Sequence, residues 1–483
     1  MDTTTTPTGT PRRVFLSAAV AAAAVPAAGL ALAAPATAAP PGSTGAGIVP
    51  PPPHPQPPSP ELRAVLREVD PVRIEATVRR LAAFHTRHTL SAQDDPHRGI
   101  GAARDWIFDQ LQGYAAASGG RMTVQKQSFV QPPEPRNPDP VTMTNLVATL
   151  HGTQPESANR VYVVSGHYDS RCTDVLNFTC DAPGADDDAS GVAAVLELAR
   201  VMAKRQFDAT IVFMAVAGEE QGLYGSTFFA QQAKAAGMDV EGMFTNDIVG
   251  SSTSDKGRRD PFTVRLFSEG VPTTETPQQA ALRQSIGGEN DGPSRQLARY
   301  VKEVGENSAT GMHVRLIWRR DRYLRGGDQI PFLQQGYPAA RFTEPAENFA
   351  HQHQDVRVEN GQQFGDLLQF VDFAYTARVA RVNGAALANL AWAPATPKNA
   401  KIDTTQLTND TTLKWDANPE PDLAGYEVVW RESTAPLWEH TIPVGNVTTF
   451  TIPDLSKDNV QFGVRTVDRN GNRSPVAFPV PAG

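Results

Sequence analysis

Two apolar runs constrain this chain most, because each leads straight into polar residues. Val161-Tyr162-Val163-Val164 is short and rich in β-branched side chains, which predicts a buried strand, and Gly166-His167-Tyr168-Asp169 follows it. Ile211-Val212-Phe213-Met214-Ala215-Val216 has the same character and runs into Gly218-Glu219-Glu220. Between them, residues 192–199 carry apolar side chains at spacings of three and four, the pattern of a helix. Alternation of this kind predicts a largely parallel sheet covered by helices. Polar residues at the ends of such strands lie where open α/β sheets build their sites.

Further helical patterns run around residues 74–81, 102–111 and from about 362 to 390. After Ala393-Pro394-Ala395-Thr396-Pro397 the character changes. Short β-like runs at 412–415, 426–430, 448–452 and 462–467 are separated by turn residues such as Asn470-Gly471-Asn472. The expected fold class is α/β, a mostly parallel mixed sheet flanked by helices, plus a small all-β sandwich. The tail resembles a fibronectin type III domain through Trp415, Gly425-Tyr426, Trp430 and the stretch 468–475, with Phe462 where that family usually carries tyrosine. The expected domains are 61–393 and 398–483, with a boundary in the Pro-rich passage at which the sandwich can be removed without touching the chemistry.

The first residues read differently. Arg12-Arg13 precede an Ala-rich apolar stretch to Leu32, and Ala36-Thr37-Ala38 offers a small-residue cleavage site. Residues 1–38 are expected to be a signal peptide of twin-arginine type, the competing reading being an N-terminal membrane anchor. Residues 39–60 are Pro-rich and read as a stiff, solvated linker. The expected mature chain is secreted, monomeric and without a membrane span. A formal net charge of −8 over 483 residues offers no basic footprint for nucleic acid. The two cysteines, Cys172 and Cys180, are expected to form a disulfide in an exported protein; a pair of zinc thiolates is the competing reading.

Taken singly, each polar motif has a bland reading. The triplet Asp186-Asp187-Asp188 can merely cap the helix that follows. Glu219-Glu220 can be a solvated loop, and Asp328 in Gly327-Asp328-Gln329-Ile330-Pro331-Phe332 can be a turn acid as readily as a support for the site. Together, His167, the Asp triplet, Glu219-Glu220, Asp247 and His351-Gln352-His353-Gln354-Asp355 supply the imidazoles and carboxylates that a hydrolytic zinc site needs.

Residues 70–385 resemble the secreted co-catalytic dizinc aminopeptidases, a family with a zinc exopeptidase fold that includes the bacterial leucyl aminopeptidases. The matching stretches are 166–170, 183–191, 218–226, Asn246-Asp247, and His351 with Asp355 four residues on. The resemblance implies two zinc ions per chain, bound by His167, Asp187, Glu220, Asp247 and His351, with Asp187 bridging. It implies that Glu219 is the general base and that Asp169 orients His167. His353 competes with His351 for the ligand role, and Ala350 stands where many relatives have a tyrosine that assists the oxyanion. The implied activity is removal of N-terminal residues from peptides. A carboxypeptidase or dipeptidase on the same scaffold, a one-zinc glutaminyl cyclase, and a catalytically idle protein that binds polymers or cell surfaces through its sandwich are the alternatives.

Overall fold

The strands that lead into the polar motifs are buried along their whole length. The computed structural model describes residues 56–482; the expected signal peptide (1–38) and residues 39–55 of the Pro-rich stretch lie outside them. Eight strands form one sheet: β1 (Met122–Gln131), β2 (Val141–Leu150), β3 (Arg160–His167), β4 (Thr210–Val216), β5 (Asp239–Asn246), β6 (Thr263–Ser268), β7 (His313–Ile317) and β8 (Ala339–Thr343). Their order is β1-β2-β4-β3-β5-β8-β6-β7. The central strands β4, β3, β5 and β8 run parallel, whereas β1-β2, β2-β4 and β6-β8 are antiparallel pairs. The mixed sheet flanked by helices matches the expected class. The chain crosses from β3 to β4 on one side and then back over β3 to β5 on the other, so the direction of winding reverses there. Such a reversal opens a crevice at the C-terminal ends of the strands.

Helix Ala189–Met202 presses its first turn onto the end of β3, and two glycines permit the approach. A Cβ on Gly166 would stand 2.6 Å from the backbone of Gly191 and Val192, closer than any real contact. Helix Phe373–Trp392 starts later than the expected 362, at Asp372, whose side chain accepts from Tyr375 N. Residues 357–359 and 362–364 instead pair as a hairpin. Its turn residues Asn360 and Gly361 both have positive φ, the Asn-Gly signature of a tight β-turn.

Beyond residue 400, strands 401–403, 411–414, 449–452 and 480–482 form one small sheet, and 423–432, 440–445 and 460–468 another. They share a core that includes Leu413, Trp415, Tyr426, Val428, Phe462 and Val464. This all-β part packs on helix Pro293–Gly305 of the α/β part. Asp291 there pairs with Arg431 at 2.6 Å and Arg299 at 3.3 Å, all three side chains being at most 4% exposed. Arg465 reaches Glu303 at 2.9 Å, and Trp438 donates to Gln296 at 3.2 Å. Gln56 is buried and donates to Asn389, so the end of the Pro-rich stretch is docked rather than solvated. Cys172 and Cys180 are disulfide-bonded. Among the described residues, no helix is long and apolar enough to cross a membrane.

Candidate metal centre

The crevice collects the polar motifs. His167 ends β3, Glu219 and Glu220 open a short helix just after β4, and Asp247 directly follows β5. Gly218 adopts a left-handed φ of 71°, which turns the chain sharply between β4 and Glu219. Asp188 performs the capping that the bland reading expected: its carboxylate accepts from Gly191 N, and also from His167 N at 2.9 Å. That leaves Asp187 aimed into the crevice. Its backbone N–H is held by Asp366 at 2.7 Å.

Two groups of potential ligand atoms result, His167 with Glu219 and Asp247, and Asp187 with Glu220 and His353. The carboxylate of Asp187 joins them. Its Oδ1 lies 3.0 Å from His167 Nε2 and its Oδ2 lies 2.9 Å from His353 Nε2. His353 Nε2 is also 3.0 Å from Glu220 Oε1. Yet His167 Nε2 and Glu220 Oε1 are buried atoms with no directional hydrogen bond to satisfy them. Such atoms are costly unless something else occupies the space they face. The donor set is imidazole and carboxylate, which suits a divalent transition metal.

The electrostatics fit a cation site. Burial alone would push the Asp187 carboxyl up, but the imidazoles of His167 and His353 hold it well below its ordinary range. Burial would lower His353, yet Glu220 and Asp187 push it up to about 10. Burial also opposes the charge on His167, and Asp188, Asp169 and Asp187 outweigh it. Glu219 goes the other way: burial, then the nearby charges of Asp247 and Glu220, push its carboxyl well above the usual range.

The structure brings His353, and not His351, to the cluster. Its ring stacks on Phe370 with centroids 3.5 Å apart and lies outside both groups. In an extended segment His351 and His353 would share a face. Here residues 349–353 form a turn, and His353 has a φ of 54°, so the two rings part. Asp355 bonds Thr173 through its backbone N–H and one carboxylate oxygen, tying this turn to the disulfide loop. His167 Nδ1 lies 3.2 Å from the backbone carbonyl of Asp169 and 3.5 Å from its carboxylate, whose oxygens accept from the N–H groups of Glu219 and Glu220 at 3.3 and 3.1 Å. Asp328 is buried, accepts from Ser226 at 2.6 Å, and is pushed up to about 7 by burial. Several supports carried no sequence signal, among them Asp366 at the Asp187 backbone and Arg87, which is fully buried and donates to the carbonyls of Tyr168, Pro183 and Gly184. Arg341, fully buried on β8, pairs with Asp247 at 2.7 Å, and Gln352 donates to Asp187 at 3.2 Å. An arginine inside a strand gave no pattern signal, and Gln352 was visible only as the residue between two histidines.

A cluster of imidazoles and carboxylates at the switch point of an α/β sheet defines a candidate centre for divalent metal ions. The profile of peptidase family M28 matches residues 145–362. The chain is 56% identical over 424 residues to a protein of Pyrenophora teres f. teres described as "Probable zinc metalloprotease", covering 87% of each chain. A protein of Pyrenophora tritici-repentis with the same description is 56% identical over 423 residues, again 87% of each. Among solved structures, the Legionella pneumophila LapA aminopeptidase aligns over 68% of this chain and 74% of that one, with a TM-score of 0.46 and 19% identity. The chain belongs to peptidase family M28, a family of zinc metallopeptidases.

Proposed function

We propose that this chain is an exported aminopeptidase that works with two zinc ions. The observation that carries the two-ion reading is the Asp187 carboxylate, with one oxygen directed to each of two imidazoles. In this reading His167, Asp187 and Asp247 hold one ion, and Asp187, Glu220 and His353 hold the other. Bound ions supply Lewis acidity, which acidifies water and polarises a peptide carbonyl. The rest is the work of the chain. Glu219 stands beside His167 and Asp247 within ligand reach; with Asp187 taking the third place in that set, Glu219 stays unbound, and its raised affinity for protons suits a general base. It accepts the proton of the attacking water and returns it to the departing amine nitrogen. Asp169 fixes the Glu219-Glu220 turn, while Asp366 and Gln352 hold Asp187 from behind.

The choice of the amino end rests on the motif resemblance of residues 166–170, 183–191 and 218–226. A carboxypeptidase or dipeptidase is the second reading, favoured by the arginines that line the cleft. Export rests on the twin-arginine pattern of residues 1–38, and the fibronectin-like tail is proposed to contact polymers or cell surfaces. The chain is proposed to act as a monomer. Aminoacyl amides with free and acetylated amines, assayed with chelator and with zinc restored, test the reading. Aminopeptidase action predicts release from free amines alone, abolished by the chelator and restored by zinc. Release from acetylated peptides with a free C-terminus would select the second reading.

A further inference from the structure

The metal cluster opens into a cleft of about 380 Å³ whose walls carry a charge that the cluster does not use. The carboxylates lining it are Asp187, Glu219, Glu220 and Asp247, all members of the cluster. Two divalent ions in the proposed centre match those four charges. The remaining charged side chains of the lining, apart from His353, are arginines: Arg136, Arg171, Arg322 and Arg325. A positive rim runs against the net charge of −8 of the whole chain.

The four arginines are not equivalent. Arg322 and Arg325 both pair with Glu347, and Arg322 also pairs with Asp321 at 3.0 Å. Arg136 and Arg171 form no ion pair among the described residues. Arg136 is exposed and donates to the backbone carbonyl of Glu220 at 3.3 Å, which sets its guanidinium beside a cluster residue. Arg171 is half-buried and donates to the carbonyls of Cys172 and Thr173, both at 3.1 Å, inside the disulfide loop. Carbonyls take up some of each fork and none of its charge. A planar guanidinium with unused N–H groups beside a reaction centre is matched by a carboxylate.

We infer that Arg136 and Arg171 anchor a carboxylate of the substrate, so that the preferred peptides are acidic near the scissile bond or short enough to present their C-terminal carboxylate there. This rests on the peptidase reading and deepens it by naming a substrate class. The walls of the cleft focus the field of the arginines onto an incoming anion.

Four peptides of one length distinguish the two sources of the carboxylate: an acidic and a neutral side chain next to the first bond, each with a free and an amidated C-terminus. The zinc-loaded protein is expected to favour carboxylate-bearing peptides in kcat/KM. Arg136→Gln and Arg171→Gln should each raise KM for them about 5-fold, and the pair of changes about 20-fold, with little effect on neutral amides. Lysine at either position should restore part of the preference. Calorimetric binding of the same peptides to Glu219→Gln protein supplies a readout that needs no turnover. Affinity for the acidic peptides should fall with added salt and with the Arg136→Gln and Arg171→Gln changes. Equal kcat/KM for all four peptides, unmoved by the arginine changes, overturns the inference and leaves the peptidase reading standing. Charge-selective binding without any hydrolysis by the zinc-loaded protein does the reverse.

Discussion

Glu219 and Glu220 are chain neighbours whose carboxylates enter different clusters, Glu220 with His353 and Glu219 with His167 and Asp247. Adjacent positions on a helical turn point about 100° apart, so one short helix serves two tasks. Glu219→Gln is expected to cut turnover by roughly 10²–10⁴-fold with zinc retained, as elemental analysis beside a rate assay will report. Loss of zinc from that variant would exchange the roles of the two glutamates. His353→Ala should lose one ion and His351→Ala none, because only His353 reaches Asp187 and Glu220. The acids of the site were legible as residue types at strand ends. The histidine was not: whether residue 351 or 353 enters the crevice depends on a positive-φ turn, and histidine carries no mark of that backbone state.

At the scale of elements, the site depends on how closely helix 189–202 lies on β3. Gly166→Ala must push Gly191 away and with it the loop that carries Asp187. The expected cost is about 1–3 kcal/mol, read as a lowered Tm together with weaker zinc retention. A second element, the segment around Glu347, is held by charge. Burial would raise this carboxyl, but Arg322, Arg325, Arg341 and Arg265 hold it down at about 2. Its folded value lies below the unfolded value near 4.3, so its contribution is present above that pH and fades as pH falls toward 2. The Tm gap between the protein and Glu347→Gln should therefore be full at neutral pH and close in strong acid; a gap that persists at pH 2 would refute this. β3, β4 and helix 189–202 are readable because their apolar residues keep the strand and helix patterns without interruption. The hairpin at 357–364 was overlooked although Asn360-Gly361 announces it, and Arg87 and Arg341 were invisible as supports. An isolated arginine reads as surface until carbonyls and carboxylates from distant segments are seen to enclose it.

At the scale of the molecule, the change of character near residue 394 marked where the all-β part begins, and it suggested a clean cut. The structure makes that cut costly. Ending the chain after Ala395 removes Arg431 from fully buried Asp291 and Arg465 from Glu303. Breaking a buried pair by removing one partner costs about 3–5 kcal/mol. The truncated chain is expected to be insoluble or strongly destabilised, and an unchanged Tm would show the interface to be dispensable. The reason is again charge inside the fold, which hydropathy patterning reads as exterior. Everything in the proposed chemistry depends on the Asp187 carboxylate serving two ions within one chain. The most direct test is the metal content of the intact protein and of Asp187→Ala, counted by native mass spectrometry at matched folding. Two zinc ions in the protein and a deficit at both sites in the variant are predicted; a single zinc in the protein, or two retained in Asp187→Ala, would contradict the account.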